Sequence, residues 1–332
     1  MADPSGGLRS CIVGTGSFVP KTVFTNKDFE KMVDTTDQWI LDRTGIRERR
    51  IADEKEASSD LGFPAAQKAL EEAKIDPMEI DLILVATTTP DMLFPSTACL
   101  IQNRLGAKRA VAFDLAAACS GFIFALSVGD QYIRSGTYQT VLVIGAEVMS
   151  KITNWKDRST CVLFGDGAGA VVLKPTLEER GILSSHLHSD GAYWDLIYVP
   201  GGGSKEPPSE TLLKGGSQYI KMRGNETFKI AVKTLEEVTR EALRENGLTL
   251  DQISLFIPHQ ANYRILKATA DRLGLPMNKV FFNGDRYGNT SAASIPIALD
   301  EAVRTGKISP MDLVVLGAFG SGLTWGAILL RW

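Results

Sequence analysis

Three residues in this chain have the types and settings that nucleophilic catalysis needs: Cys119, His259 and Asn289. Cys119 lies in "FDLAAACSGFIFAL" (113–126), between three alanines and a Ser-Gly pair, where a strand-like run turns helix-like. A cysteine at or near a helix N-terminus meets unpaired N–H groups and the positive end of the dipole, and both favour the thiolate. Small neighbours (Ala116 to Ala118, Ser120, Gly121) suit a tight strand-to-helix turn and let a substrate carbonyl approach the Cys119 N–H. Taken alone, the segment also fits a buried structural cysteine. Cys11, Cys99 and Cys161 sit in apolar runs without such a turn and read as core.

His259 follows a strand-like run in "LFIPHQANYRILKATADRLG" (255–274), and a helix starts from about Asn262. Strand C-terminal ends are where open α/β sheets place their sites. Asn289 lies in "DRYGNTSAASIPIALDEAV" (285–303), another small-residue turn into a helix. By itself it reads as a helix cap. His186 and His188 in "SSHLHSD" have the spacing of neighbours on one strand face, a weak metal signal, and no metal is expected. "GAFGSGLTWG" (317–326) reads as a Gly-rich strand-to-strand connection and matches no phosphate-binding loop, though its glycines can expose an oxyanion-hole N–H. "FGDGAGAVVL" (164–173) reads as close backbone packing between strands.

These positions need elements to hold them. Strand-length apolar runs fall at 11–20, 80–89, 110–115, 140–147, 167–175, 253–259, 279–284, 312–319 and 324–332, with amphipathic helical stretches at 58–74 and 226–246. Such continuous runs predict α/β sheets covered on both faces. The chain also repeats. "ALEEAKIDPMEIDLILVA" (69–86) aligns without a gap on "ALRENGLTLDQISLFIPH" (242–259). "YIRSGTYQTVLVIGAE" (132–147) matches "AVRTGKISPMDLVVLGAF" (302–319) with a short insertion, and "GAVVL" (169–173) echoes "GAILL" (326–330). The pattern predicts two duplicated α/β halves whose matching turns face each other across a pseudo-twofold axis, so that Cys119 and Asn289 share one pocket. Residues 1–175 form the half with the nucleophile; residues 176–332 comprise a connecting loop region and the half with His259 and Asn289. The segment 176–220, with "PGGGSKEPPSE" (200–210), is expected to be a loop, either a rim to the site or a mobile connector.

Composition narrows the class. Hydrophobic residues make up 44% and charged residues 23%, and 36 basic against 39 acidic side chains leave a net charge of -3. That argues against nucleic acid as the main partner. Four single cysteines without a C-x-x-C pair fit a reducing compartment. "MADPSGGLRS" lacks the apolar run of a signal peptide and no stretch has the length of a membrane span, so a soluble cytoplasmic protein is expected.

The stretches "DLAAACSGF", "PHQANYRI", "GNTSAAS" and "GAFGSGLTWG", extended by "TTDQWILDRTGIRERRI" (35–51) and "CVLFGDGAGAVVL" (161–173), closely resemble those of β-ketoacyl-acyl-carrier-protein synthase III. This is the initiating condensing enzyme of type II fatty-acid synthesis, and the resemblance runs from about residue 9 to the C-terminus. It implies the thiolase fold, two duplicated halves in a five-layered αβαβα core, and a homodimer. It also implies a Cys119-His259-Asn289 triad, with the N–H groups of Cys119 and Ser321 as oxyanion hole. A short acyl-CoA, with acetyl-CoA the expected primer, would acylate Cys119. Malonyl-acyl carrier protein would then lose carbon dioxide and attack, and no cofactor is required.

Further contacts follow from the resemblance alone. Trp39 and Arg158 look like the pair sandwiching the CoA adenine, with Arg43 and Thr44 nearby. Met222, Gly224, Phe228 and Asn262 would line the pantetheine tunnel. Gln260, Ala261, Asn262, Tyr263 and Arg264, with Arg272, would form the face that docks the acidic carrier protein. For the arginines, a plain solvated helix face is the alternative. Phe94 in "DMLFPSTACL" matches a residue that caps the partner's acyl pocket and favours a two-carbon primer.

Related enzymes fit less well. Thiolases need a second catalytic cysteine near the C-terminus, and the last cysteine here is Cys161. Elongating condensing enzymes carry a second histidine where Asn289 stands. Hydroxymethylglutaryl-CoA synthases rely on a glutamate that has no match. Chalcone-synthase-type enzymes share Cys-His-Asn, but "QANYR" and "RTGIRER" point away from them. A non-catalytic scaffold would lack one of the three residue types. A starter-unit polyketide or alkylquinolone-type ketosynthase with another acyl donor remains the alternative.

Overall fold

The apolar runs at 80–89, 140–147 and 312–319 become strands with no water on either face. Leu82–Ala86, Val141–Val148 and Leu313–Gly320 are buried along their whole length. A strand buried on both sides needs a layer above and below it, and that requirement builds the architecture. The computed structural model describes residues 7–332; the first six residues of the "MADPSGGLRS" stretch lie outside them.

One sheet has five strands in the order Arg9–Phe18, Asp166–Thr176, Val141–Val148, Leu82–Ala86, Val111–Leu115. The other has four, in the order Gly181–Ser189, Thr324–Arg331, Leu313–Gly320, Leu255–Pro258. Both run antiparallel, antiparallel, parallel along these orders, and the first adds one more parallel pair. Between the sheets lie the helices Gly121–Arg134 and Ser294–Arg304. Phe122, Leu126, Ile295 and Leu299 join Leu84 and Val143 of one sheet to Ile257 and Leu316 of the other in a single core. Helix Ser58–Ala73 covers the outer face of the first sheet, and helices Gly224–Glu245 and Tyr263–Leu273 cover that of the second. The result is five layers, αβαβα.

Three expectations change. The segment 176–220 is not one loop: Gly181–Ser189 is a strand paired along Thr324–Arg331, and Glu210–Gly215 is a short helix. The strand is half-buried over most of its length and carries polar residues on both faces, so it leaves no apolar run. The run 279–284 is not a strand but a single parallel bridge from Val280 to Phe256, between a 3-10 turn and the short helix Gly284–Tyr287. Gln260 ends it, because its Oε1 accepts the N–H groups of Asn283 (3.0 Å) and Gly284 (3.3 Å) that a strand would pair. Gly167 and Gly169 of "FGDGAGAVVL" allow close approach by a central helix, and Gly165 by the Tyr287 carbonyl, rather than by a neighbouring strand. A Cβ on Gly169 would lie 2.6 Å from the Pro296 carbonyl carbon.

Candidate active site

Two turns of the same shape enter the central helices. Ala118–Ser120 leads into Gly121–Arg134, and Ser291–Ala293 leads into Ser294–Arg304. Each begins with a non-glycine residue in the left-handed region, Ala118 at φ 46° and Ser291 at φ 50°. The turns face each other closely enough that a Cβ on Gly121 would touch the Ala292 methyl at 3.5 Å. Cys119 is on the first turn and Asn289 stands two residues before the second.

The Cys119 side chain is half-buried and lines a cavity of about 690 Å³. Burial pushes its thiol up to about 11, helped by the nearby Glu147 charge and opposed by the Ser291 hydroxyl beside it. Burial therefore favours the thiol over the thiolate at rest. Neither the Cys119 N–H nor the Ser321 N–H enters a backbone hydrogen bond among the described residues. Gly320 brings the two segments together: a Cβ there would sit 2.7 Å from the Cys119 nitrogen. The Ser321 hydroxyl donates to the Ile197 carbonyl, which anchors that turn.

His259 is 1% exposed, and burial holds its imidazole down at about 3, neutral at any ordinary pH. Its Nδ1 lies 2.6 Å from the Ser294 Oγ, which also accepts the Gln260 N–H at 3.4 Å. The Ser294 proton has no other acceptor among the described hydrogen bonds, so it points to Nδ1 and leaves the ring hydrogen on Nε2. The Phe319 ring packs edge-on against the imidazole, centroids 5.7 Å apart. The Asn289 Oδ1 accepts the Ser291 N–H at 2.9 Å, which turns its NH₂ outward as a donor. Cys119, His259, Asn289 and Ser321 all line the one cavity, which therefore holds a thiol and up to four hydrogen-bond donors: two side-chain N–H groups and two backbone N–H groups.

Arg43, Met222, Gly224, Phe228, Ala261, Asn262 and Arg264 also line it. Asn262 caps its helix through Oδ1, accepting the Ile265 N–H at 3.0 Å. Trp39 carries two guanidinium groups over its ring, Arg43 at 4.7 Å and Arg158 at 4.9 Å from the centroid. Other expected contacts are not brought to the cavity. Thr44 is buried, donating to the Ile40 carbonyl (2.6 Å) and accepting the Ile46 N–H (3.0 Å). Gln260 is 1% exposed, with its amide donating to the Pro258 and Phe281 carbonyls, so it presents nothing to a partner. Tyr263 lies tilted on Phe282 at the surface. Arg272 is exposed but bridged to Glu236 at 2.6 Å. Phe94 points into solvent, 83% exposed, away from this chain's own cavity.

Some cavity neighbours were not singled out from the sequence: Ser291, Ser294, Phe319 and Lys229, and behind them Glu147. Ser291 and Ser294 sit inside "GNTSAAS", so the motif held them without ranking them. His186 and His188 both reach Glu241, His188 at 2.7 Å and His186 at 3.5 Å. Among the described residues no three His, Cys, Asp or Glu side chains cluster as metal ligands. No described helix is long and apolar enough to cross a membrane.

The family described as 3-oxoacyl-[acyl-carrier-protein (ACP)] synthase III matches residues 113–191, and its C-terminal counterpart matches residues 243–332. The chain is 53% identical over 325 residues to the β-ketoacyl-[acyl-carrier-protein] synthase III of Caldanaerobacter subterraneus subsp. tengcongensis, covering 98% of each chain. It is 54% identical to that of Xanthomonas campestris pv. campestris, covering 98% of this chain and 99% of the other. The crystal structure of 3-oxoacyl-[acyl-carrier-protein] synthase III from Aquifex aeolicus VF5 superposes with a TM-score of 0.91 at 51% identity, covering 97% of this chain and all of that one.

Proposed function

The chain belongs to the 3-oxoacyl-[acyl-carrier-protein] synthase III family, and from that premise we propose how its cavity performs the condensation. It has the thiolase fold and is an acyltransferase of fatty-acid synthesis: it joins an acyl group to malonyl-acyl carrier protein with loss of carbon dioxide. In our reading the primer is acetyl-CoA. Cys119 attacks its thioester, and the tetrahedral oxyanion sits between the N–H groups of Cys119 and Ser321. CoA leaves and the acetyl group stays on Cys119.

Malonyl-acyl carrier protein then enters the same cavity. Loss of carbon dioxide makes an enolate whose oxygen is met by two donors, the Nε2–H of His259 and the NH₂ of Asn289. A buried neutral imidazole suits this step, because it donates a hydrogen bond without drawing a charge into the core. The carbanion attacks the acetyl carbonyl and releases Cys119. Decarboxylation drives carbon–carbon bond formation, so the chemistry calls for neither metal nor redox cofactor. The observation that carries this reading is the convergence of one thiol and these donors on a single cavity.

Around this centre we assign Trp39, Arg43 and Arg158 to the CoA base and phosphates, and Met222, Gly224, Phe228 and Asn262 to its pantetheine arm. Arg264 at the cavity is the cation we assign to carrier-protein docking, since Arg272 already has Glu236. We divide the chain at residue 175 into the half with the nucleophile and the half with His259 and Asn289, and read it as a cytoplasmic homodimer. The exposed run Met92, Leu93 and Phe94 and the free edge of Val111–Leu115 support such pairing.

The test is to incubate the protein with a panel of acyl-CoAs, locate the acylated peptide by mass spectrometry, and add malonyl-acyl carrier protein. Acetyl on Cys119, chased to acetoacetyl-acyl carrier protein, is the expected result. Acylation only by longer or branched donors would remove the acetyl assignment and keep the mechanism.

A further inference from the structure

The Val141–Val148 strand ends by placing Glu147 wholly inside the protein, behind the nucleophile. Only donors reach its carboxylate. The Thr88 and Thr89 N–H groups donate to Oε2 at 3.1 Å each, and the Thr89 hydroxyl donates at 2.5 Å. On Oε1 the Thr88 hydroxyl donates at 3.0 Å and the Ser291 hydroxyl at 2.9 Å. The cage fits an ionised carboxylate, while burial raises its proton affinity above the ordinary value. Ser291 also lines the cavity with Cys119, on the turn that faces the nucleophile's, and its hydroxyl lowers the thiol's proton affinity.

Acylation needs somewhere for the thiol proton to go. His259 is poorly suited: Nδ1 accepts from Ser294, and Nε2 must keep its hydrogen to meet the enolate. The titratable groups facing Cys119 are His259 and Glu147, which leaves the carboxylate. We propose that Ser291 and Glu147 are the proton outlet of Cys119. As Sγ attacks the thioester carbon, its proton passes to the Ser291 oxygen while the Ser291 proton passes to Glu147 Oε1. When the carbon–sulfur bond to CoA breaks, the proton returns through Ser291 to the departing thiolate and Glu147 is again a carboxylate. Ser291 relays the proton of the reacting sulfur; Glu147 acts through it. The proposal rests on the thiol-acylation reading given above.

Two variants test it, Ser291→Ala and Glu147→Gln, each followed for Cys119 acetylation by acetyl-CoA and for Cys119 alkylation by iodoacetamide across pH. Ala118 shows that alanine sits in this left-handed turn, so Ser291→Ala should fold. Acetylation is expected to slow by about 10² or more in both. In Glu147→Gln the lost charge should make the thiol more acidic and alkylation at neutral pH faster, so the two reactions move in opposite directions. If Glu147 is only a neighbouring charge, both reactions speed up together and the proposal falls. Wild-type acetylation in Ser291→Ala also overturns it, and that variant decides alone if Glu147→Gln does not fold. Failure of the unaltered protein to take any acyl group would instead strike the acylation reading.

Discussion

Ala118 and Ser291 hold the same left-handed backbone conformation, φ 46° and 50°, at equivalent points of the two duplicated halves. Neither is glycine, so each turn carries a backbone arrangement costing about 1 kcal/mol or more. Keeping it on both sides fixes where the following residues aim. Ala118→Gly should relieve that cost, changing stability by less than about 1 kcal/mol because glycine also loses more entropy on folding. It should loosen the turn and lower the Cys119 acylation rate several-fold. Thermal unfolding and acetyl transfer, measured together, check both halves of this expectation.

Gly320→Ala probes the oxyanion hole. Its methyl would enter within 2.7 Å of the Cys119 nitrogen and 3.0 Å of the Ser120 nitrogen, both backbone atoms that cannot rotate away. Condensation should fall by about 10² to 10³, the range seen when one oxyanion donor is lost. A variant that retained full kcat would place the oxyanion elsewhere.

Cys119 should resist alkylation at neutral pH. A thiol held at about 11 is almost wholly protonated at pH 7, and its reactivity should climb steadily through pH 9 without a plateau. A plateau near pH 7 would mean that the helix N-terminus outweighs burial after all.

Asn289→Ala removes one of two donors to the enolate and leaves the thiol in place. Acetylation of Cys119 should persist while carbon dioxide release from malonyl-acyl carrier protein drops by about 10² or more. Radiolabelled acetyl and malonyl substrates, followed separately, give the two rates.

His259 should leave a mark on stability. Its folded-state pKa of about 3 lies below the ordinary 6.5, so between those values the unfolded chain takes up a proton that the folded protein refuses. This contribution to stability is fully present above about pH 6.5 and is lost as the pH falls toward 3, by about 1.4 kcal/mol per pH unit. Denaturant titrations of wild type and His259→Asn should show the smaller slope in the variant.

Cys119, His259 and Asn289 drew notice because each sits in a locally unusual setting: a cysteine among alanines, a histidine ending a strand, an asparagine before a turn; it was the resemblance that joined them into one site. The buried strands were legible for the same reason, since continuous apolar runs need cover on both faces. What stayed hidden depends on partners far away in the chain. Gly181–Ser189 has no apolar run, because most of its residues are half-buried, and only pairing with Thr324–Arg331 makes it a strand. Glu147 ends the apolar run "TVLVIGAE" like any strand-terminal charge; threonines some 60 residues earlier and Ser291 beyond decide that it goes inside. The resemblance made Gln260 a docking residue, yet its amide is wholly taken up by backbone groups.

The Gln260 amide has an effect well beyond its own loop. By capturing Asn283 and Gly284 it stops the second sheet at a single bridge, while the first sheet continues to the five-residue Val111–Leu115. At the other ends of the sheets, Arg9–Phe18 and Gly181–Ser189 crowd each other, with a Cβ on Gly181 falling 2.3 Å from the Ser10 carbonyl oxygen. Among the described residues the Val111–Leu115 edge of the five-stranded sheet pairs with no further strand. Two chains that met edge to edge there would each use up that edge, so such a contact would close on itself rather than propagate.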